Sequence, residues 1–190
     1  MAFQFKIQIS NITYPPVWRR VLAPERFSFL QMHSLIQISF GWENSHLFQF
    51  SPKGYGSWPQ IGIPMEDDDL LFAGEKKLNA AKIKLKEVFT EPKQKFTYIY
   101  DFGDDWFHDL TLEKITEDKL LRADCLAGKG ACPPEDCGGP HGYENLKMIM
   151  NDPRDPEYKE MKEWLGLAKT QKWDADAFDL EAIRKQVAKI

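Results

Sequence analysis

The chain has 190 residues and a mass of 22.1 kDa, which suits one domain over residues 1–190 with a core that needs no disulfide. Hydrophobic residues make up 43% of the chain and aromatic residues 13%, so a disordered protein is excluded. A formal charge of −4 and a pI of about 5.6 disfavour a nucleic-acid partner, because nonspecific phosphate binding needs a basic excess.

The N-terminal residues alternate between apolar and polar side chains. Phe3, Phe5, Ile7 and Ile9 follow the period of a strand, whereas a signal peptide has a continuous apolar core. A second strand is predicted over Val17–Leu22. No apolar run approaches the ~18 residues of a membrane span, so we expect a cytoplasmic chain with no membrane partner and with reduced cysteines.

A core helix is predicted from Ser28 to Phe40. Ser28 is a suitable N-cap, and Gly41 supplies a stop. The apolar residues at helical spacing are Phe29, Met32, Ile36 and Phe40. A strand over His46–Phe50 should follow, because its residues alternate in strand fashion.

A segment without regular secondary structure is predicted over residues 54–74, which are rich in glycine, proline and acidic residues. It contains the acidic run Glu66–Asp69. This run lacks the alternating ligands and central glycine of a calcium loop, so we expect a solvated loop or helix start.

A hairpin is predicted from the strands Lys95–Tyr100 and Trp106–Ile115, with Gly103 able to take positive φ in the turn. Its acids and histidine are the side chains used in metal-dependent hydrolysis and in general acid/base pairs. The catalytic candidates of the hairpin are Asp101, Asp104 and His108. Two acids of a loop further along the chain, Glu135 and Asp136, are added to them. Strand alternation instead favours an inward, hydrogen-bonded His108, and aspartates are also favoured in turns for their own sake. Catalysis would require the downstream loop to fold over the hairpin.

The segment 125–142 gathers every cysteine of the chain into a loop rich in glycine and proline. Its metal-ligand candidates are Cys125, Cys132, Cys137 and His141, a set that suits structural zinc. The spacing matches no standard zinc motif, so buried, unliganded cysteines are the competing interpretation. A redox pair of Cys132 and Cys137 is a further alternative.

Three helices are predicted after this loop, over Tyr143–Met150, Pro156–Leu165 and Asp176–Val187. The order of elements predicts an α+β fold. It consists of a mixed or antiparallel sheet, one N-terminal core helix and a helical C-terminal third.

Two central motifs, YDFGDDWFH and CPPEDCGGPHGY, resemble the plasmid Ri ORF-three-like family, which is also labelled the insertion-element passenger TnpR-like family. The segments FKIQISNITYPPVWRRVLAP, LQMHSLIQISFGWENSHLFQF and FDLEAI resemble the same family in the same order, so the resemblance covers nearly the whole chain. It implies a compact α+β module with no known activity. The positions that match the two motifs are Asp101, Gly103, Asp104, Trp106, His108, Pro133, Pro134, Glu135, Asp136, Cys137, Gly138, Gly139, Gly142 and Tyr143.

The favoured function is a non-enzymatic binding or accessory protein in which the hairpin and the loop pack together. A protein partner and carriage by mobile elements are both compatible with this function. The first alternative is a metal-dependent hydrolase or nuclease that uses the catalytic candidates above. The second is a DNA-recombination accessory protein, which requires a basic groove. Its side chains would include Arg19, Arg20, Lys82, Lys84 and Lys86.

Overall fold

One eight-stranded sheet organises the chain in a computed structural model that describes residues 1–64 and 77–190. The acidic run Glu66–Asp69 lies outside the described residues. The strands are β1 Ala2–Ile9, β2 Trp18–Pro24, β3 Phe48–Ser51, β4 Ile61–Gly62, β5 Leu78–Asn79, β6 Lys95–Tyr100, β7 Trp106–Thr116 and β8 Asp124–Lys129.

The strands lie in the order β5-β4-β3-β6-β7-β1-β2-β8. All neighbours are antiparallel except β4 and β5, which are parallel. The sheet is therefore mixed and mostly antiparallel, as the sequence predicts. The predicted β6–β7 hairpin is confirmed, with Tyr100 opposite Trp106 beside the turn.

The helices are α1 Phe29–Phe40, α2 Leu85–Val88, α3 Gly139–Asn151, α4 Tyr158–Trp164 and α5 Leu180–Val187. Ser28 starts α1 through a capping box with Gln31, and Gly41 ends it with a φ of 104°. Helix α3 begins four residues before the predicted Tyr143, so His141 lies within its first turn. No helix in the described part of the chain is long and apolar enough to cross a bilayer.

Arg19 is 2% exposed and holds the sheet against α1. Its guanidinium donates hydrogen bonds to the carbonyl oxygens of Ser39, Trp18, Lys129 and Gly130, at 2.7 to 3.0 Å. Two of the five side chains expected in the basic groove of a DNA accessory protein are therefore not available to it. A buried Arg19 cannot line it, and Arg20 is paired with Glu113.

Candidate metal centre

Three segments meet at one end of the sheet: the segment after α1, the β6–β7 turn and the loop before α3. His46 Nε2 lies 3.7 Å from Asp101 Oδ2, 3.6 Å from Glu135 Oε2 and 3.2 Å from Asp136 Oδ1. We call these four side chains the His46 cluster. It joins the predicted hairpin and the predicted loop through a histidine that lies in neither.

Asp101 is positioned by a left-handed backbone conformation with a φ of 56°. Its Oδ1 accepts a hydrogen bond from the Gly103 amide at 2.9 Å, so its Oδ2 is the oxygen that faces His46. Aspartate tolerates this conformation because its short side chain bonds nearby backbone groups. The sequence assigned positive φ to Gly103, but in this turn the residues that have it are Asp101 and Asp105.

Glu135 is held by one of its two carboxylate oxygens. The Glu43 amide and the Tyr100 hydroxyl donate to Oε1 at 2.7 and 2.9 Å, and the Ser45 amide donates to the same hydroxyl. Burial, together with the bond to Glu135, raises the pKa of Tyr100, which keeps the hydroxyl a donor. The other oxygen, Oε2, is buried and has no hydrogen-bond partner.

His46 Nε2 is likewise buried without a hydrogen-bond partner. Its ring packs edge-on against Tyr100, with the ring centroids 5.8 Å apart. Among residues 1–64 and 77–190, no lysine or arginine forms an ion pair with Asp101, Glu135 or Asp136. Three carboxylates thus share one imidazole. The side chains of Asp101 and Glu135 are largely buried, where a charge without compensation is costly.

The ligand atoms of His46, Asp101 and Asp136 lie close enough together to surround one metal ion, since all are within 4.8 Å of one another. Two atoms each about 2.1 Å from an ion, at 90–110° to one another, lie about 3.0–3.4 Å apart. Of the distances from His46 Nε2, the 3.2 Å to Asp136 lies in this range, and the 3.6 Å to Glu135 and 3.7 Å to Asp101 exceed it. All three reach or pass the upper limit for a hydrogen bond. Within residues 1–64 and 77–190, the only group of three or more metal-ligating side chains whose ligand atoms lie within 4.8 Å of one another is His46, Asp101 and Asp136. One nitrogen and several carboxylate oxygens suit Zn²⁺, Mn²⁺ or Fe²⁺.

Asp104 and His108, two of the catalytic candidates, lie outside the His46 cluster. Asp104 Oδ2 accepts a hydrogen bond from the Gly138 amide at the start of α3, a favourable place for an anion. Together with the bond from Tyr100 to Glu135, this contact confirms that hairpin and loop pack together.

His108 is fully buried. Its Nδ1 donates to the Trp106 carbonyl oxygen at 2.9 Å, and its Nε2 accepts from Trp42 Nε1 at 3.4 Å. Burial lowers the pKa of His108 to about 4. The interpretation as a core histidine is confirmed, and His108 does not pair with Glu135 or Asp136.

The cysteines do not assemble with His141 in the described structure. Cys125 is buried on β8, Cys132 and Cys137 are half-buried in the loop, and His141 is exposed on α3. No three of their four ligand atoms form a group within 4.8 Å among residues 1–64 and 77–190. Burial raises the pKa of all three thiols, that of Cys137 to about 12, which disfavours a redox pair. Zinc binding by these residues stays a prediction that the geometry does not support.

Sequence reasoning missed His46 because it is far along the chain from its neighbours. The available signal was strand pairing. Phe48 on β3 is paired with Tyr100 on β6, so a residue just before β3 lies at the same sheet end as Asp101, just after β6.

The chain is similar to known proteins over nearly its whole length. A family model described as "Plasmid pRiA4b ORF-3-like protein" matches residues 1–182. The chain is 31% identical over 190 residues to "Uncharacterized protein y4hQ" of Sinorhizobium fredii, covering 97% of this chain and 89% of that protein. It is also similar to the crystal structure of "Protein of Unknown Function MM3350" from Methanosarcina mazei Go1, with a TM-score of 0.77 and 32% identity. That match covers 95% of this chain and 96% of the other, and neither name assigns an activity.

Proposed function

Because the chain belongs to the plasmid pRiA4b ORF-3-like family, whose relatives above have names without an activity, we propose its function from its own site. The protein is a binding module whose His46 cluster holds one divalent metal ion. The observation that carries this proposal is His46 Nε2, which is buried without a hydrogen-bond partner and lies within 4.8 Å of carboxylate oxygens of Asp101 and Asp136. Glu135 Oε2, which is also buried without a hydrogen-bond partner, lies 3.6 Å from it.

A divalent ion would offset the carboxylate charge that His46 alone does not balance. The contacts around the ligands would orient them, because Gly103 fixes one oxygen of Asp101, and Glu43 and Tyr100 fix one oxygen of Glu135. The Asp136 side chain is 75% exposed, so solvent would reach the ion from its side.

The rest of the chain supports a single α+β domain over residues 1–190. The first strand, β1, and the last strand, β8, belong to the same sheet. The core helix α1 precedes β3, and the segment after β8 contains α3, α4 and α5. The three free cysteines support a cytoplasmic location, where thiols stay reduced.

A metal-dependent hydrolase is the second candidate, favoured by the solvent-open side at Asp136. Of the five catalytic candidates, Asp101, Glu135 and Asp136 would serve such a site. Hydrolysis of a generic phosphodiester by the metal-loaded protein, lost in His46→Ala, would establish it over a pure binding role.

Calorimetric titration of Mn²⁺ and Zn²⁺ into chelator-stripped protein tests the site. We expect about one ion per chain, and His46→Ala or Asp101→Asn should weaken binding at least about 100-fold because a ligand is removed. His141→Ala removes an exposed histidine outside the cluster and is the matched control. The proposal fails if the unmodified chain binds neither ion, or if His141→Ala loses binding while His46→Ala keeps it.

A further inference from the structure

A cleft of about 490 Å³ lies between α3, α4 and the loop before α3. Its apolar lining is formed by Leu146, Met161 and Trp164, and Cys137 and Gly142 line it beside the loop. Concave sites of about 300–1,000 Å³ with an apolar lining and a few polar groups are typical of small-molecule binding.

The charged groups that line this cleft are all carboxylates: Asp136, Glu157 and Glu160. Among residues 1–64 and 77–190, neither Glu157 nor Glu160 forms an ion pair, and Asp136 pairs with His46 alone. The cleft therefore presents a negative potential over an apolar surface, and a positively charged occupant would complement it.

Trp164 adds a second, independent feature. This large side chain is 48% exposed at the cleft. In the part of the chain that the structure describes, its ring has no aromatic or cation–π partner. An exposed indole beside carboxylates is the arrangement that attracts an organic cation, since the ring face is electron-rich.

We propose that this cleft binds a small organic cation in which an ammonium or guanidinium group is joined to an apolar body. The charged group lies between Glu157, Glu160 and the Trp164 ring, and the apolar body lies on Leu146 and Met161. Only Asp136 is shared with the His46 cluster, so the proposal does not depend on metal binding.

The test is an NMR titration of the ¹⁵N-labelled chain with phenethylamine, in EDTA so that metal plays no part. The Trp164 indole resonance is assigned by its loss in Trp164→Phe. We expect a saturable shift of that resonance with a Kd on the order of 1 mM, as for a fragment of this size. The neutral analogue 2-phenylethanol should bind at least about 5-fold more weakly, as should a Glu157→Gln, Glu160→Gln double variant titrated with the amine.

Glu163→Gln is the matched control, because Glu163 is exposed on α4 and does not line the cleft. It should leave phenethylamine binding unchanged. The proposal is overturned by the absence of a saturable shift up to about 20 mM amine, or by equal affinity for the alcohol. An arginine- and leucine-containing peptide that shifts Trp164 while phenethylamine does not would overturn the assignment to a small molecule.

Discussion

Replacing Gly139 with alanine should disturb the junction between hairpin and loop. Gly139 has a φ of 67°, and a Cβ built there would lie 2.6 Å from the Asp104 carbonyl oxygen. Alanine pays about 1 kcal/mol for the left-handed conformation. The overlap adds about 1–2 kcal/mol, because the atom in the way is backbone and cannot rotate aside. The free energy of unfolding should therefore fall by about 2–3 kcal/mol.

Gly166→Ala provides the matched control. Gly166 has nearly the same φ, 65°, but a Cβ there would meet nothing within 4 Å. The free energy of unfolding of Gly166→Ala should fall only by the conformational cost, about 1 kcal/mol. Urea denaturation of both variants, with an unchanged m value, measures the difference, which reports the contact between Gly139 and Asp104.

Equal losses in Gly139→Ala and Gly166→Ala would refute the close approach of the loop to the turn. No loss in either would refute the left-handed conformations themselves. Because Asp101 and Glu135 lie on opposite sides of this junction, we also expect Gly139→Ala to weaken metal binding.

Two further predictions concern buried polar groups. Burial lowers the pKa of His33 and His108 to about 4, below 6.5 in the unfolded chain, so the unfolded state takes up protons first as the pH falls. Stability should therefore drop by about 2 kcal/mol per histidine between pH 7.5 and pH 5 in urea titrations, and a flat profile would contradict their burial. Arg19→Met replaces the guanidinium with an unbranched apolar side chain and leaves the four carbonyl oxygens without their donor. The free energy of unfolding should therefore fall by at least about 3 kcal/mol in urea titrations. Arg20→Met removes a partly exposed ion pair with Glu113 and a cation–π contact with Trp18, so the free energy of unfolding should fall by about 1–2 kcal/mol. Equal losses in the two variants would contradict the role of Arg19.

The sheet was predictable where the signal is local. Alternation in 95–100 and 106–115, with aspartates and a glycine between, specifies the hairpin without knowledge of any other segment. The start of α3 was not predictable in the same way. The pair Gly138-Gly139 is typical of a loop, yet Gly138 is a left-handed N-cap and the following proline occupies the first turn, where its missing amide costs nothing.

Three of the four residues of the His46 cluster could be predicted from the sequence. Asp101, Glu135 and Asp136 stand in the two unusual motifs, so composition alone draws attention to them. His46 enters through the β3–β6 pairing, a long-range contact that periodicity does not encode. The cysteines attracted the zinc prediction because soft ligands are conspicuous in sequence, whereas their burial and separation are properties of the fold.

Metal content by elemental analysis, on protein purified without chelator or affinity tag, tests the central claim most directly. The unmodified chain is compared with His46→Ala and with a Cys132→Ser, Cys137→Ser double variant. We predict about one divalent ion per chain, retained in the cysteine variant and lost in His46→Ala. Metal lost from the cysteine variant but retained in His46→Ala would contradict the account, and so would an unmodified chain without metal.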